Sequence, residues 1–203
     1  IEERRADPRA DLLSALIAAE ADGESLTQPE LFAMIILLFI AGHETTTNLI
    51  GNGTLALLRW PDEWEKLCAD PSGLVVAATE ELLRFDSPVQ VTARTATEDL
   101  VVNDWLSLAK GESVVCGLAA GNRDPRYVDA PESLDLERGK PSHLSFSNGM
   151  HYCLGAPLAR MEGQLAFSAM ARQFPSLSLA VDEPPYRDHF VLRGLESLPV
   201  SLG

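Results

Sequence analysis

Residues 31 to 42, LFAMIILLFIAG, form the longest apolar run of the chain and set the first constraint on its fold. At 12 residues the run is too short to cross a bilayer, so it reads as part of a buried core helix. Thr27 and Glu30 mark the start, with the spacing of a capping box in which hydroxyl and carboxylate each satisfy an orphan backbone N–H. No proline follows Pro29 until Pro61. A helix running on to Arg59 would be about 50 Å long at roughly 1.5 Å per residue. So long and apolar a helix is expected to cross the middle of its domain.

The rest of the chain supplies shorter elements. Helices are expected at 7–21, 62–69 and 74–85, the last ended by Pro88, and at about 154–173. Strand patterns follow the third of these: VQVTART, LVV and WLSL around an Asn103-Asp104 turn, then SVVCGL. Residues 122 to 145 carry three prolines and no period, which marks a functional or linking segment. There is no internal repeat and no shift in composition. With 203 residues, 46% of them hydrophobic, the chain reads as one mainly α domain with a small β-sheet, spanning 1–203.

Charge excludes some partners. Thirty acidic residues against 16 basic ones give a net charge of -14, which speaks against nucleic acid and against an anionic membrane surface. Cys68, Cys116 and Cys153 lie far apart without a CxxC pair, as in a reducing compartment. The chain opens at Ile1 on a charged, helix-like pattern that resembles neither a signal nor a transit peptide. It reads as a fragment of a longer chain.

Three places carry candidate chemistry. The first is AGHETT, residues 41 to 46, where a glycine, a carboxylate and threonines interrupt an oily helix. Gly costs about 1 kcal/mol in such a position and Thr is also a poor helix former. Ala41 and Gly42 share the face of Thr45, which makes a shallow groove of small side chains beside one hydroxyl and one carboxylate. The alternative is a helix emerging into solvent at Glu44, although apolar residues resume at Leu49 and Ile50. The second is Cys153, flanked by Gly149 and Gly155 just before a helix N-terminus, where free N–H donors and the helix dipole favour a thiolate. It is either an anionic ligand or nucleophile, or a buried inert cysteine. Zinc is disfavoured, because only His151 is near in sequence and zinc needs three or four ligands. The third is Glu81 and Arg84, an i,i+3 pair that alone suggests a solvated surface contact.

In this order the three resemble the haem-thiolate monooxygenases, the cytochrome P-450 family. AGHETT is similar to the oxygen-activating segment of the family's central helix. EELLR carries its Glu-x-x-Arg pair at Glu81 and Arg84, and SFSNGMHYCLG its cysteine loop at Phe146, Gly149, His151, Cys153 and Gly155. RTATEDL, NRDP and LDLER resemble the connecting segments. The resemblance implies the C-terminal half of the family fold and haem b held by the Cys153 thiolate, which would favour O–O cleavage. It implies haem contacts from Ala41, Phe146, Gly149 and Gly155, and His151 and Arg94 on the propionates. Amides following Cys153 would hydrogen-bond the sulfur. Thr45 would hydrogen-bond dioxygen, Glu44 would help deliver protons, and Glu81, Arg84 and Arg138 would form a buried ionic cluster. Ile36, Ile40, Val89, Val91, Thr92 and Leu195 would line an apolar substrate. The partners implied are O2 and a ferredoxin- or flavodoxin-type redox protein passing electrons from NAD(P)H, in the cytoplasm and without a membrane.

Two features depart from the family pattern. Ser147 stands where the cysteine loop usually has glycine, and the chain covers roughly the C-terminal half of a member. A truncated, non-catalytic haem-binding fragment is therefore the second reading. A third, a cysteine hydrolase pairing Cys153 with His151, suffers from poor geometry, since two residues on one tight turn cannot face each other through a substrate. His43, His143 and His189 read as loop or surface histidines, and Cys68 and Cys116 as small packing residues.

Overall fold

The computed structural model describes residues 1–19, 26–139 and 141–203. The chain divides into two compact units, Ile1–Glu44 and Thr45–Gly203.

In the first unit α1 (Glu2–Ala6) and α2 (Leu12–Ala19) replace the single helix expected at 7–21. Pro8 explains the break, because a residue preceding proline is pushed out of helical geometry. Asp11 then starts α2, its carboxylate accepting from the Ser14 N–H at 2.8 Å and from Arg4 Nε at 2.6 Å. Positions 20 and 21 of the expected helix lie outside the described residues. α3 (Gln28–Arg59) spans both units and has the expected length. At its start Glu30 accepts from the Thr27 N–H at 2.8 Å and also from the Thr27 hydroxyl at 2.7 Å. Only the carboxylate half of the capping box is made, because the hydroxyl is spent on the same carboxylate.

The expectation that the apolar run is buried does not hold. Leu31 is enclosed, but Phe32, Ile36, Leu37, Phe39 and Ile40 are exposed, Phe39 at 76%. By length and composition α3 could cross a membrane, yet its C-terminal half builds the core of the second unit.

That core gathers Leu49 and Leu57 of α3, Trp64 and Leu67 of α4 (Pro61–Ala69), Ala78 and Leu82 of α5 (Pro71–Phe85), and Phe167 and Ala171 of α7 (Ala156–Gln173). α5 begins earlier than expected because Asp70 caps it, accepting from the Gly73 N–H at 2.8 Å ahead of Pro71. Gly53 on α3 leaves room for the Phe167 ring of α7. A Cβ there would stand 2.6 Å from Cζ of Phe167.

In place of the single small sheet expected, the described residues form three two-stranded ladders. β1 (Val91–Thr95) pairs antiparallel with β4 (Ser113–Gly117), β2 (Leu100–Asn103) with β3 (Leu106–Leu108), and β5 (Ser178–Leu179) with β6 (Val200–Ser201). The β2–β3 hairpin turns on Asn103, whose Oδ1 accepts from the Trp105 and Leu106 amides, and it leaves the β1–β4 ladder instead of extending it. After α6 (Leu118–Asn122), the described residues of 123–148 contain no further helix or strand; Lys140 lies outside them.

Candidate functional site

The cysteine loop is pinned at its start. The Ser145 hydroxyl donates to the Leu83 carbonyl at 2.7 Å. Asn122 donates to the hydroxyls of Ser87 and Ser145 at 2.7 and 2.9 Å and accepts from the Leu144 N–H at 2.6 Å. The chain then reverses through two left-handed residues, Ser147 at φ 62 and Gly149 at φ 78. A 3-10 turn covers Gly149–His151, capped by Asn148. The Cys153 N–H donates to the Phe146 carbonyl at 3.0 Å and closes the loop. α7 follows with Gly155 at its N-cap and Pro157 in its first turn.

Cys153 is exposed, as are His151 and the apolar Met150 and Leu154, the last two at 94% and 88%. A thiol on a rigid turn with exposed apolar neighbours suits a flat apolar group that brings a metal. No cluster of three or more His, Cys, Asp and Glu that could hold a metal ion occurs among the described residues. A lone cysteine sulfur therefore suits a metal that already carries its other ligands. The remaining cysteines differ from each other: burial pushes the Cys68 thiol up, whereas Cys116, expected to pack, is exposed on β4.

The Glu81–Arg84 pair is no surface contact. Both side chains are fully buried, with Arg84 Nε and Nη2 each 2.8 Å from a Glu81 oxygen. Arg84 also donates to the carbonyls of Asn122, Pro131 and Ser133, and Arg138 Nε reaches Glu81 Oε1 at 3.1 Å. Glu81 accepts the Asp135 N–H and Glu63 the Leu136 N–H. These bonds order the segment from 122 onward without secondary structure, because its buried backbone groups find side-chain partners instead.

Arg94 leaves β1 to donate to Thr92 Oγ1, the Ala93 carbonyl and Ser147 Oγ at 2.8, 2.8 and 2.9 Å. Its partners are neutral oxygens, so the guanidinium charge stays available to an anion. On α3, Ala41 is exposed and Glu44 half-buried in the first unit, and Thr45 is half-buried in the second. A Cβ on Gly42 would meet nothing within 4 Å, so the surface there is open.

Among the expected lining residues, Val89, Val91 and Thr92 are half-buried on and before β1. Val91 borders a cavity of about 400 Å³ together with Gln90, Gly117, Tyr186 and Phe190. Ile36 and Ile40 are exposed. Leu195 is instead buried, its Cδ1 3.9 Å from the Cβ position of Gly51, so it packs on α3 and not along an open wall.

Glu80 and Arg160 escaped the sequence reading, and His143 was read only as a loop or surface histidine. Glu80, His143 and Arg160 meet beneath the cysteine loop, and the His143 side chain is 3% exposed, not a surface group. Glu80 stands beside Glu81, and Arg160 one turn into the helix after the cysteine. Nothing local announces that they touch.

Comparison with known proteins gives a uniform result. The family model described as Cytochrome P450 matches residues 2–70 and 73–200. The chain is 47% identical to the polyketide biosynthesis cytochrome P450 PksS of Bacillus subtilis, over 100% of this chain and 50% of that protein. It is 48% identical to a vitamin D(3) 25-hydroxylase of Pseudonocardia autotrophica, over 100% of this chain and 51% of that protein. The solved structure of the tirandamycin C-bound P450 monooxygenase TamI superposes with a TM-score of 0.94 at 47% identity, covering 100% of this chain and 51% of that one. The chain thus spans about half the length of the relatives it matches.

Proposed function

The chain belongs to the cytochrome P450 family and takes the mainly helical fold of about half the length of a member, and from this we propose that it is the haem-binding part of a monooxygenase. The Cys153 sulfur would hold haem b, and the bound group would supply the chemistry for inserting one atom of O2 into an apolar small molecule. The observation that carries the proposal is the exposed Cys153 thiol on a loop closed by its own amide on Phe146, between the exposed apolar side chains of Met150 and Leu154. The thiolate-ligated haem supplies the oxidising chemistry, since sulfur donation favours O–O cleavage.

The protein's own residues bind and orient. In the second unit Phe146, Gly149 and Gly155 would offer small or flat surface to the porphyrin, and bulk at Gly155 would lie against the sulfur, its Cβ position being 3.9 Å from Cys153 Sγ; in the first unit Ala41 would offer small exposed surface. Arg94 and His151 present N–H donors to the propionates, Arg94 through its fork. Thr45 offers its hydroxyl proton and Glu44 relays protons from solvent. In the second unit Val89, Val91 and Thr92 would supply wall to the substrate, and in the first unit Ile36 and Ile40 would offer exposed apolar surface. Glu81, Arg84 and Arg138 hold the 129–138 segment from within. Electrons come from NAD(P)H through a ferredoxin- or flavodoxin-type protein, in the cytoplasm. The names of the relatives, which speak of polyketide biosynthesis, vitamin D(3) and tirandamycin C, support a small molecule as substrate.

The test is an absorption spectrum of the haem-loaded protein, reduced and exposed to carbon monoxide. The strongly red-shifted band of thiolate-ligated haem is expected, and it disappears in Cys153→Ala. Its survival in that variant rules out Cys153 as the ligand. A second reading, haem binding without turnover, is favoured by the exposed row Phe32, Ile36, Leu37, Phe39 and Ile40. Product formation from any apolar substrate by these 203 residues eliminates it.

A further inference from the structure

Beneath the cysteine loop lies a second cluster that the ionic cluster of Glu81 does not include. Glu80 accepts from Arg160 twice, Nε to Oε1 at 2.7 Å and Nη2 to Oε2 at 3.0 Å, and shares a third hydrogen bond with His143 Nε2 at 3.1 Å. His143 Nδ1 accepts from the Ser145 N–H at 3.2 Å. That bond leaves the ring proton on Nε2, where it donates to the carboxylate.

Arg160 carries the cluster into the loop. Its Nη1 donates to the Tyr152 hydroxyl at 3.0 Å, and its guanidinium lies over the Phe146 ring at 4.5 Å from the centroid. The rings of His143 and Tyr152 flank Phe146 at 5.9 and 6.3 Å. Phe146 and Tyr152 are the residues that hold Cys153, one through the carbonyl that takes its amide and the other through the chain itself. One half-buried carboxylate on α5 therefore reaches both sides of the loop.

We propose that Glu80, His143 and Arg160 are positioning residues for Cys153, fixing the loop from behind by clamping Phe146 and Tyr152 to α5. The proposal rests on the reading of Cys153 as the haem ligand for its functional meaning, but the clamp is a property of this chain's own residues. A fork from Arg160 is needed, because a lysine at that position could pair with Glu80 without stacking on Phe146 and bonding Tyr152 together. Half-buried and charge-assisted, the Glu80 bonds are among the stronger local ones. Burial by itself would raise the Glu80 carboxyl, yet bonds from His143 and Arg160 hold it at about 2.

The experiment measures amide hydrogen exchange, residue by residue, in Glu80→Gln and Arg160→Lys. Protection of the Cys153 and Ser145 amides is expected to fall by about tenfold or more, well within the span that local opening covers in folded proteins. Protection of the Leu136 amide, held by Glu63, stays unchanged. A uniform fall across these amides, or none, overturns the proposal, since a merely structural residue lowers all protection together. Arg160→Lys keeps the charge and guards against Glu80→Gln failing to fold. In the haem-loaded protein both variants are expected to lose part of the red-shifted band on reduction with carbon monoxide. If the unsubstituted protein lacks that band, the haem reading fails while the exchange result still decides the clamp.

Discussion

The Ser147 hydroxyl accepts a hydrogen bond from Arg94 Nη2 at 2.9 Å, across a sequence separation of 53. Ser147 makes this bond from left-handed backbone, φ 62, which a residue with a Cβ adopts at a cost of roughly 1–2 kcal/mol. The serine thus replaces a conformational preference with a tether between β1 and the cysteine loop. Ser147→Gly relieves the strain and loses the tether, whereas Ser147→Ala keeps the strain and loses the tether. Ser147→Ala is therefore expected to be less stable than Ser147→Gly by about 1 kcal/mol, read from denaturant midpoints. Equal midpoints would contradict the strain.

Arg84 answers for more backbone than any surface pair could. Arg84→Met takes the side-chain donor from the Asn122 and Pro131 carbonyls, leaves the Ser133 carbonyl to Arg138, and leaves Arg138 facing the buried Glu81 charge. A loss of about 3–5 kcal/mol in unfolding free energy is expected by chemical denaturation. A loss under about 1 kcal/mol would mean that the cluster is solvated in solution.

Acid should unfold the protein partly through Glu80. Its folded carboxyl titrates at about 2 against an ordinary 4.5. A depressed folded value means that the unfolded state binds the proton first, so this contribution is present above pH 4.5 and drains away as pH falls toward 2. Melting temperatures followed through that window should fall less steeply in Glu80→Gln. Parallel curves for the two proteins would remove Glu80 from the acid response.

Two glycines of α3 should answer oppositely to alanine. At Gly53 the added Cβ meets Phe167 at 2.6 Å, and Gly53→Ala is expected to cost about 1–3 kcal/mol through overpacking. At Gly42 it meets nothing within 4 Å, and Gly42→Ala is expected to gain up to about 1 kcal/mol from helix propensity. Thermal unfolding of both variants checks the signs, and shifts of the same sign would refute the contrast.

Local chemistry was legible from the chain alone. The span of α3 to Arg59, the break of helix before Pro61 and the glycine-flanked turn ahead of α7 follow from backbone sterics and from hydrogen bonds that close within a few residues. The break at Pro8 was equally local, and was hidden by the regular pattern around it.

Burial and distant pairing were decided only by the tertiary structure. Glu81 and Arg84 have the spacing of a solvated pair, and the chain from Asn122 to Arg138 turned them into a buried centre. The apolar stretch from Phe32 to Ile40 has the composition of a core, yet Phe32, Ile36, Leu37, Phe39 and Ile40 are exposed. His143 and Arg160 reach Glu80 over sequence separations of 63 and 80 residues, a distance at which no periodicity or capping rule operates. Spacing along a chain fixes which backbone groups can pair nearby. Which side chains lose water is set by surfaces that meet only after the helices have packed.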